Sequence, residues 1–276
     1  MRRLLIILAL IGLSGPVMAA DPTDITPCES MFADTGMPSY RGDFDEGHHS
    51  LRCRLGYVLS HNNETRIPDW VLQELPDSQL TGTAKRKDNF KADDSLLPEH
   101  RAEKSDYKGS GFDQGHQAPA ADFKSSQQMT DESFLLSNMA PQVGLSFNRG
   151  IWAHLEEQVR KWLDTRSRLI VITGPVYDAP DIFEPEVRAI PKLKAGQEGA
   201  ERVTVPAAFY KIVFDPENGR AIAFLMPNKK LPKRKPSEFR TSIADIEERT
   251  GIDFFTTLSK RRQRVLESSV APMWEH

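Results

Sequence analysis

Apolar residues recur at helical spacing in one long segment of the chain. The stripe comprises Ile151, Trp152, Leu155, Val159, Trp162 and Leu163. This spacing predicts a helix from about Arg149 to Leu163 with one face turned toward a core. Asn148 directly precedes the stripe and is a residue type that favours the N-cap position, so we expect the helix to begin there.

Other apolar runs have the shorter lengths and β-branched composition of strands. The run Leu-Ile-Val-Ile predicts a buried strand from Arg168 to Thr173, ended by Gly174-Pro175. Alternating residues predict a hairpin in which Phe209 to Phe214 pairs with Ala221 to Met226. The turn between them lies at Asp215 to Gly219, which contains Pro, Asn and Gly.

The remaining elements are less sharply marked. Weaker patterns predict strands at Leu51–Leu59 and Phe134–Met139, a helical turn or strand end at Asp69–Leu75, and helices at Thr241–Thr250 and Phe254–Leu266. Residues 20–50 and 77–110 have the composition of irregular segments. Because strands and helices intermingle with hairpins, we expect an α+β fold. Its mixed or antiparallel central sheet is flanked by helices within a single domain, residues 51–276.

The N-terminus has the pattern of a secretory signal peptide. Arg2 and Arg3 precede an apolar run, Leu4 to Leu13, and Val17-Met18-Ala19 fits a cleavage site. We expect residues 1–19 to be removed, with cleavage after residue 19 or 20. An uncleaved anchor helix is the alternative. No later run is apolar enough to span a membrane, so we expect a mature protein without a membrane segment in the periplasm or secreted.

Charge and cysteine content fit an exported enzyme. Loss of Arg2 and Arg3 changes the formal charge from −3 to −5, which argues against a nucleic-acid packaging protein. Electropositive surface must therefore be local; the basic runs at residues 85–91 and 229–240 either contact phosphate or are simply solvated. Cys28 and Cys53 are the only cysteines. In an oxidising compartment such a pair forms a disulfide, and two free thiols are the alternative.

His116 is the first residue whose chemistry is informative. It follows Gly115, which we expect to let the backbone turn sharply so that the imidazole projects into a cleft. A neutral imidazole can deprotonate the water that attacks a phosphodiester. A divalent cation would stabilise the negative charge that builds up on the phosphate and the leaving oxygen. A lone histidine is more often structural, so this assignment needs a second motif.

Asn148 and Glu156 supply that second motif. Asn148 offers a carbonyl oxygen of the kind that Mg²⁺ prefers, and Mg²⁺ keeps several of its waters. Glu156 lies eight residues further on, about 12 Å along a continuous helix, so both side chains can hardly touch one ion. We therefore expect Asn148 to bind the metal directly and Glu156 to hold metal-bound waters. An N-cap asparagine and a solvated glutamate are the alternative.

These residues resemble the DNA/RNA non-specific endonuclease family, the endonuclease G-like ββα-metal nucleases. The family signature Asp-Arg-Gly-His is matched by Asp113-Gln114-Gly115-His116 and the small residues after it. The resemblance also rests on residues 105–112, 136–142, Asn148, 152–156, 173–175, 205–206 and 226–228, and it covers roughly residues 50–265.

The resemblance implies a ββα-metal nuclease fold with His116 as general base, Mg²⁺ (or Mn²⁺) on Asn148 and a water-positioning role for Glu156. It also implies a basic residue upstream of the signature that supports the phosphate. Arg86 is our candidate for that residue by its position before Phe90. Asp113 is expected to anchor the loop rather than to catalyse.

Gln114 departs from the family signature, because it replaces an arginine. An arginine meets phosphate with a charged, bidentate contact, whereas glutamine keeps hydrogen bonding without the charge. We therefore expect the missing charge to affect the catalytic rate and the affinity for substrate, rather than the type of reaction. Arg149 either compensates for the missing charge or is solvated.

We therefore predict an exported, Mg²⁺-dependent endonuclease that cleaves DNA and RNA with little sequence preference. One alternative is a nucleic-acid-binding protein of the same fold with weakened catalysis. Another is a narrower phosphodiesterase for small or modified substrates. The sequence leaves open whether the protein forms a homodimer and whether an inhibitor protein binds it. It also does not identify the biological role.

Overall fold

The protein is organised around a seven-stranded antiparallel sheet, seen in a computed structural model. The structure describes residues 24–42, 47–177, 192–194 and 201–275, so the expected signal peptide, residues 1–19, lies outside the described residues. In the sheet the strands follow the order β12-β11-β10-β7-β4-β3-β2. The strands are β1 (Ser39–Tyr40), β2 (His49–Cys53), β3 (Val58–Asn62), β4 (Ile67–Pro76), β5 (Phe112–His116), β6 (Met139–Val143), β7 (Arg168–Val176), β8 (Lys192–Lys194), β9 (Glu201–Thr204), β10 (Ala208–Asp215), β11 (Arg220–Pro227), β12 (Arg240–Thr241) and β13 (Ile252–Asp253).

Short helices surround this sheet. The α-helices are α1 (Lys104–Tyr107), α2 (Gln127–Glu132), α3 (Ala153–Trp162), α4 (Ile243–Thr250) and α5 (Lys260–Glu267). The 3-10 helices are Thr26–Phe32, Asp77–Leu80, Ala120–Asp122, Leu136–Asn138, Leu163–Thr165 and Pro236–Phe239, and a kinked segment with an irregular backbone covers Gly144–Trp152. The predicted α+β class is confirmed by this arrangement.

The sheet is covered on both faces, which explains the apolar composition of its central strands. All eight residues of β10 are buried. Phe209 and Val213 pack on the face that carries α3, while Tyr210 and Ile212 pack on the face that carries α4. A strand buried on both sides does not alternate between apolar and polar residues, so composition rather than periodicity marks it.

A separate two-stranded hairpin of β5 and β6 lies beside the segment Gly144–Trp152. Its register places Gln114 opposite Pro141 and His116 opposite Met139. The sequence predicted a strand over residues 134–139, whereas the strand is Met139–Val143 and contains Pro141. β6 pairs with β5 alone among the described strands, so the missing N–H of the proline removes no second ladder bond.

Several predicted boundaries were wrong for identifiable reasons. The predicted strand 51–59 is two strands, β2 and β3, separated by a tight turn in which Arg54 N donates to Tyr57 O at 2.8 Å. β7 continues through Gly174, where a Cβ atom would lie 2.2 Å from the Asp69 carbonyl oxygen. The last helix begins at residue 260 rather than 254, because Ser259 caps it by accepting from Arg262 N.

Two other predictions were correct, and one that had been left open is decided by the structure. β4 resolves the ambiguous segment around Asp69–Leu75 as a strand. The hairpin of β10 and β11 has the predicted pairing, with Phe209 opposite Met226 and Phe214 opposite Ala221. Helix α4 ends where expected, since Gly251 adopts a left-handed conformation with φ of 70°.

The N-terminal part is more ordered than its composition suggested. The 3-10 helix Thr26–Phe32 is joined to β2 by a disulfide between Cys28 and Cys53, with a Cα–Cα distance of 5.8 Å. β1 pairs with β13, so this segment also contacts the C-terminal part of the chain. Among the described residues, no helix combines the length and the apolar composition needed to cross a membrane.

The disulfide closes a loop with a sequence separation of 25 residues. On the loop-entropy model, replacing Cys28 and Cys53 together by serine should lower the free energy of unfolding by about 3 kcal/mol. Urea unfolding of the wild type and of the double variant, with and without reductant, measures this difference. Equal stability of the oxidised wild type and the variant would contradict it.

Candidate active site

Strand β5 places its polar side chains on two faces. Because side chains alternate along a strand, Gln114 and His116 share one face and Asp113 points to the other. Gly115 lies inside the strand, not in a sharp turn as the sequence suggested. Its missing side chain accommodates Gln142, whose Cδ would lie 2.2 Å from a Cβ atom at residue 115.

His116 is enclosed by aromatic rings. Its imidazole centroid lies 4.9 Å from the Phe134 ring and 5.7 Å from the Phe90 ring, both edge to face. The side chain is buried, and Nε2 has no hydrogen-bond partner within the described residues. Burial, followed by the positive charge of Arg86, lowers the pKa of His116 to about 3. The imidazole is therefore neutral at physiological pH.

Arg86 lies on the outer side of this aromatic group. Its guanidinium carbon is 5.1 Å from the centroid of the Phe134 ring, and Nε contacts Asp88 Oδ1 at 2.6 Å. The side chain is exposed, and its charge lowers the pKa values of both His116 and Glu156. The structure thus brings Arg86 to the same region as His116 and Glu156.

Asn148 lies in the irregular segment before α3 and does not cap the helix. Ser146 has a positive φ of 66°, and Gly150 has φ of −140° and ψ of −112°, so a regular helix cannot run through them. Helix α3 begins at Ala153, and its N-cap residue is Trp152. The predicted N-cap role of Asn148 was therefore wrong, and the continuous helix on which the 12 Å estimate rested is absent between Asn148 and Ala153.

The Asp113 carboxylate fixes the orientation of Asn148. Asn148 Nδ2 donates to Asp113 Oδ2 at 2.9 Å, so the amide oxygen is the end of the side chain left for a ligand. Arg149 Nε lies 3.0 Å from the same carboxylate oxygen. Asp113 therefore anchors this segment, as expected. Arg149 binds on the Asp113 face of β5, not on the face shared by Gln114 and His116.

Glu156 is in the first turn of α3 and is half-buried. Burial raises its pKa to about 7, and Lys211, Arg160 and Arg86 oppose that increase. No hydrogen bond to its carboxylate occurs within the part of the chain that the structure describes. Its oxygens are therefore available to waters or to a cation.

Lys211 is a site residue that sequence reasoning missed. It is 1% exposed, Nζ donates to Thr173 Oγ1 at 2.6 Å, and Nζ lies 5.0 Å from the centroid of the Trp152 ring. Burial lowers its pKa to about 8, whereas Glu156 and Asp122 oppose the decrease. The signal was available, because Lys211 is the one cation in the otherwise apolar run Ala208–Phe214.

Two asparagines hold the hairpin and its connection in place. Asn138 exchanges hydrogen bonds with the backbone of Ala118, using both ends of its amide at 2.9 Å. Asn228 accepts from Val143 N at 2.9 Å and donates to the Pro141 and Pro206 carbonyls at 3.0 Å. Residues 136–142 and 226–228 are two of the motifs behind the family resemblance. Their hydrogen bonds thus hold the strands around the site in position.

Comparison with known proteins identifies the same family that the sequence motifs indicated. The profile of the DNA/RNA non-specific endonuclease family matches residues 38–261. A nuclease of Syncephalastrum racemosum is 36% identical over 218 residues, covering 76% of this chain and 68% of the relative. Mitochondrial endonuclease G of Homo sapiens is 35% identical over 218 residues, covering 76% and 71%.

A solved structure extends the similarity to the fold. The crystal structure of the EndoG/EndoGI complex matches with a TM-score of 0.74 and 31% identity, over 86% of this chain and 94% of that one. The predicted ββα-metal nuclease architecture is thereby confirmed.

The buried imidazole has a consequence for acid stability. In metal-free protein, the native pKa of about 3 lies below the ordinary value of 6.5, so the unfolded chain binds the proton more tightly. The contribution of His116 is therefore present above about pH 6.5 and is lost as the pH falls toward 3. Replacing His116 by glutamine should weaken the loss of stability between about pH 6.5 and pH 4.5.

Urea unfolding of both proteins in EDTA at the two pH values tests this effect. The other buried histidine, His61, is present in both proteins and cancels in the comparison. An equal decline in the two proteins would exclude a depressed pKa at His116.

Proposed function

Because this chain belongs to the DNA/RNA non-specific endonuclease family and is a nuclease of it, we propose that it is a Mg²⁺-dependent endonuclease with a histidine base. It hydrolyses DNA and RNA phosphodiesters with little sequence preference. The observation that carries this proposal is the Asp113–Asn148 hydrogen bond. It ties a metal-binding amide to the strand that carries His116.

The residues around Asn148 fit a hydrated magnesium ion. Asp113 holds the amide nitrogen, which leaves a neutral oxygen of the type Mg²⁺ binds. A site with a single protein oxygen suits Mg²⁺, because this ion retains several waters and loses them reluctantly. Mn²⁺ prefers similar ligands and is a second candidate. A bound ion would supply stabilisation of negative charge on the phosphate.

His116 is proposed to take the proton from the attacking water. The depressed pKa keeps the imidazole neutral, and Nε2 is free of protein partners among the described residues. A base with so low a pKa is weak. A phosphate group bound nearby adds negative charge, which raises the proton affinity of the imidazole.

Glu156, Lys211 and Arg86 are proposed to control charge and water around this base. The Glu156 carboxylate would orient the waters of a bound ion, and its ionised form is favoured by the positive charge of Lys211. Arg86 is exposed beside Phe134 and supports the phosphate. Lys211 is a positioning residue, because Thr173 and Trp152 enclose its ammonium group.

The substrate proposal follows from the kind of contact that these residues can make. Contacts to phosphate and sugar carry no sequence information, so an enzyme that relies on them cleaves with low preference. Arg86 provides local positive charge on a chain with net charge −3. The proteins similar to this chain include a fungal nuclease and mitochondrial nucleases.

We also propose an exported protein with a signal peptide at residues 1–19, a lead-in at 20–50 and one nuclease domain at 51–276. The Cys28–Cys53 disulfide supports a periplasmic or secreted location, because disulfides persist in oxidising compartments. Relatives such as the mitochondrial nuclease of Saccharomyces cerevisiae occupy another compartment. A homodimer and an inhibitor protein stay predictions; the matched solved structure is itself a complex that concerns EndoG inhibition.

Removal of the base or of the metal ligand should abolish most activity without unfolding the protein. His116→Ala should lose at least about 100-fold in kcat on plasmid DNA and on RNA. Asn148→Ala should lose more activity than Glu156→Gln, for which a loss of about 10–100-fold is expected, because the latter only misplaces waters. EDTA should stop the wild type, and added Mg²⁺ should restore it.

His154→Ala is the matched control, since His154 is an exposed histidine on the same helix as Glu156. It should cleave like the wild type. Activity that survives EDTA would contradict the metal mechanism, and nucleic-acid binding without cleavage would identify a protein with decayed catalysis. Cleavage of a dinucleotide but not of long DNA would favour the narrower phosphodiesterase.

Gln114→Arg tests the departure from the family signature. A charged donor on the His116 face should raise cleavage by about tenfold, because a charge-assisted hydrogen bond replaces a neutral one. Binding should also become more salt-sensitive, with a slope of log K against log salt steeper by about 1. Rates and affinities for one DNA substrate at two salt concentrations measure both effects.

The Arg86→Ala background distinguishes the two sources of charge. If Arg86 replaces the missing arginine, Gln114→Arg should stimulate cleavage more strongly in Arg86→Ala than in the wild type. A Gln114→Arg enzyme that is slower at both salt concentrations would show that the site has adapted to glutamine.

A further inference from the structure

A second group of carboxylates lies far along the chain from the residues discussed above. Glu247 on α4, Asp253 on β13 and Glu267 at the end of α5 each offer an oxygen, and these oxygens all lie within 4.8 Å of one another. Glu247 and Glu267 are buried and Asp253 is half-buried. Three elements that are separate in sequence therefore bring three negative charges together.

Among the described residues, direct ion pairs are formed by two of the three carboxylates, Glu247 and Asp253. Arg41 Nη2 contacts Glu247 Oε2 at 2.7 Å, and Lys260 Nζ contacts Asp253 Oδ2 at 3.2 Å. Both cationic side chains are at least half exposed, so they lie at the rim of the group. Asp253 also accepts a long hydrogen bond from Gln263 Nε2 at 3.4 Å.

Glu267 is the carboxylate of the three that forms an ion pair with neither Arg41 nor Lys260. It is 8% exposed, and its Oε1 has no hydrogen-bond partner among the described residues. Burial and the charges of Glu247 and Asp253 raise its pKa to about 7. Glu267 also occupies the last position of α5, where the partial negative charge of the helix end disfavours a carboxylate and favours a cation.

We propose that Glu247, Asp253 and Glu267 bind a structural Ca²⁺ ion. Ca²⁺ accepts six to eight oxygen ligands at about 2.3–2.6 Å in flexible geometry, so ligand oxygens around one ion lie up to roughly 5 Å apart. Mg²⁺ demands a tighter octahedron and prefers to keep its waters. A buried group made of carboxylates therefore suits Ca²⁺ better.

The ion would join the C-terminal helices to the N-terminal segment. Asp253 belongs to β13, which pairs with β1, and Arg41 directly after β1 contacts Glu247. A cation here replaces the repulsion between three carboxylates by attraction to one centre. It acts on stability and not on the proposed catalytic chemistry, so the two sites can be tested separately.

The experiment uses thermal unfolding at about pH 8 in the Asn148→Ala background, which removes the proposed catalytic ligand. CaCl₂ at about 100 times its Kd should raise Tm by about 5–10 °C. Calorimetric titration should count one Ca²⁺ per chain. Glu267→Gln and Asp253→Asn, both nearly isosteric, should abolish the shift and the binding.

Glu248→Gln is the matched control, because Glu248 is the exposed neighbour of Glu247 on α4. It should keep the full Ca²⁺ shift. An undiminished shift in Glu267→Gln, or no shift in the Asn148→Ala protein itself, would overturn the proposal. An equal shift with MgCl₂ would overturn the assignment to Ca²⁺.

Discussion

The hydrogen bond from Asn148 to Asp113 is the contact on which the geometry of the proposed site depends. Asp113 lies on the strand that carries His116, and Asn148 lies in an irregular segment with no helical ladder of its own. The bond joins these two pieces and determines which end of the amide remains free. Without it, the segment before α3 would retain only packing and the exposed Arg149 pair to fix the metal ligand. A carboxylate with no proposed contact to the metal therefore orients the side chain that is proposed to bind it.

The same site shows how charge can be kept in a buried region. Lys211 and Glu156 each have a pKa shifted toward the neutral form by burial, and each opposes the shift of the other. The sheet supplies the enclosure, because Lys211 extends from a strand covered on both faces. A buried charge that loses its partner is strongly destabilising, so the pair couples the integrity of the core to the electrostatics of the site.

Sequence reasoning recovered the features that depend on local pattern or on motif. The stripe from Ile151 to Trp162 is buried as predicted, because helical periodicity survives in any surroundings. The start of that helix was wrong, since Gly150 and Ser146 adopt backbone angles that tertiary contacts hold in place. Lys211 was missed because its burial depends on what packs against the sheet, which one chain segment does not reveal. The disulfide was predicted from cysteine count and compartment alone.

The pairing of β1 with β13 makes the first and last parts of the chain interdependent. Residues 39–40 obtain their strand partner only from residues 252–253, and Arg41 obtains its carboxylate from residue 247. A chain that emerges from a ribosome or a translocation channel with its N-terminus first therefore cannot close this contact until residues 252–253 have also emerged. Closure of this contact thus waits for a segment far along the chain, and a chain that stops before residue 252 leaves β1 without this strand partner.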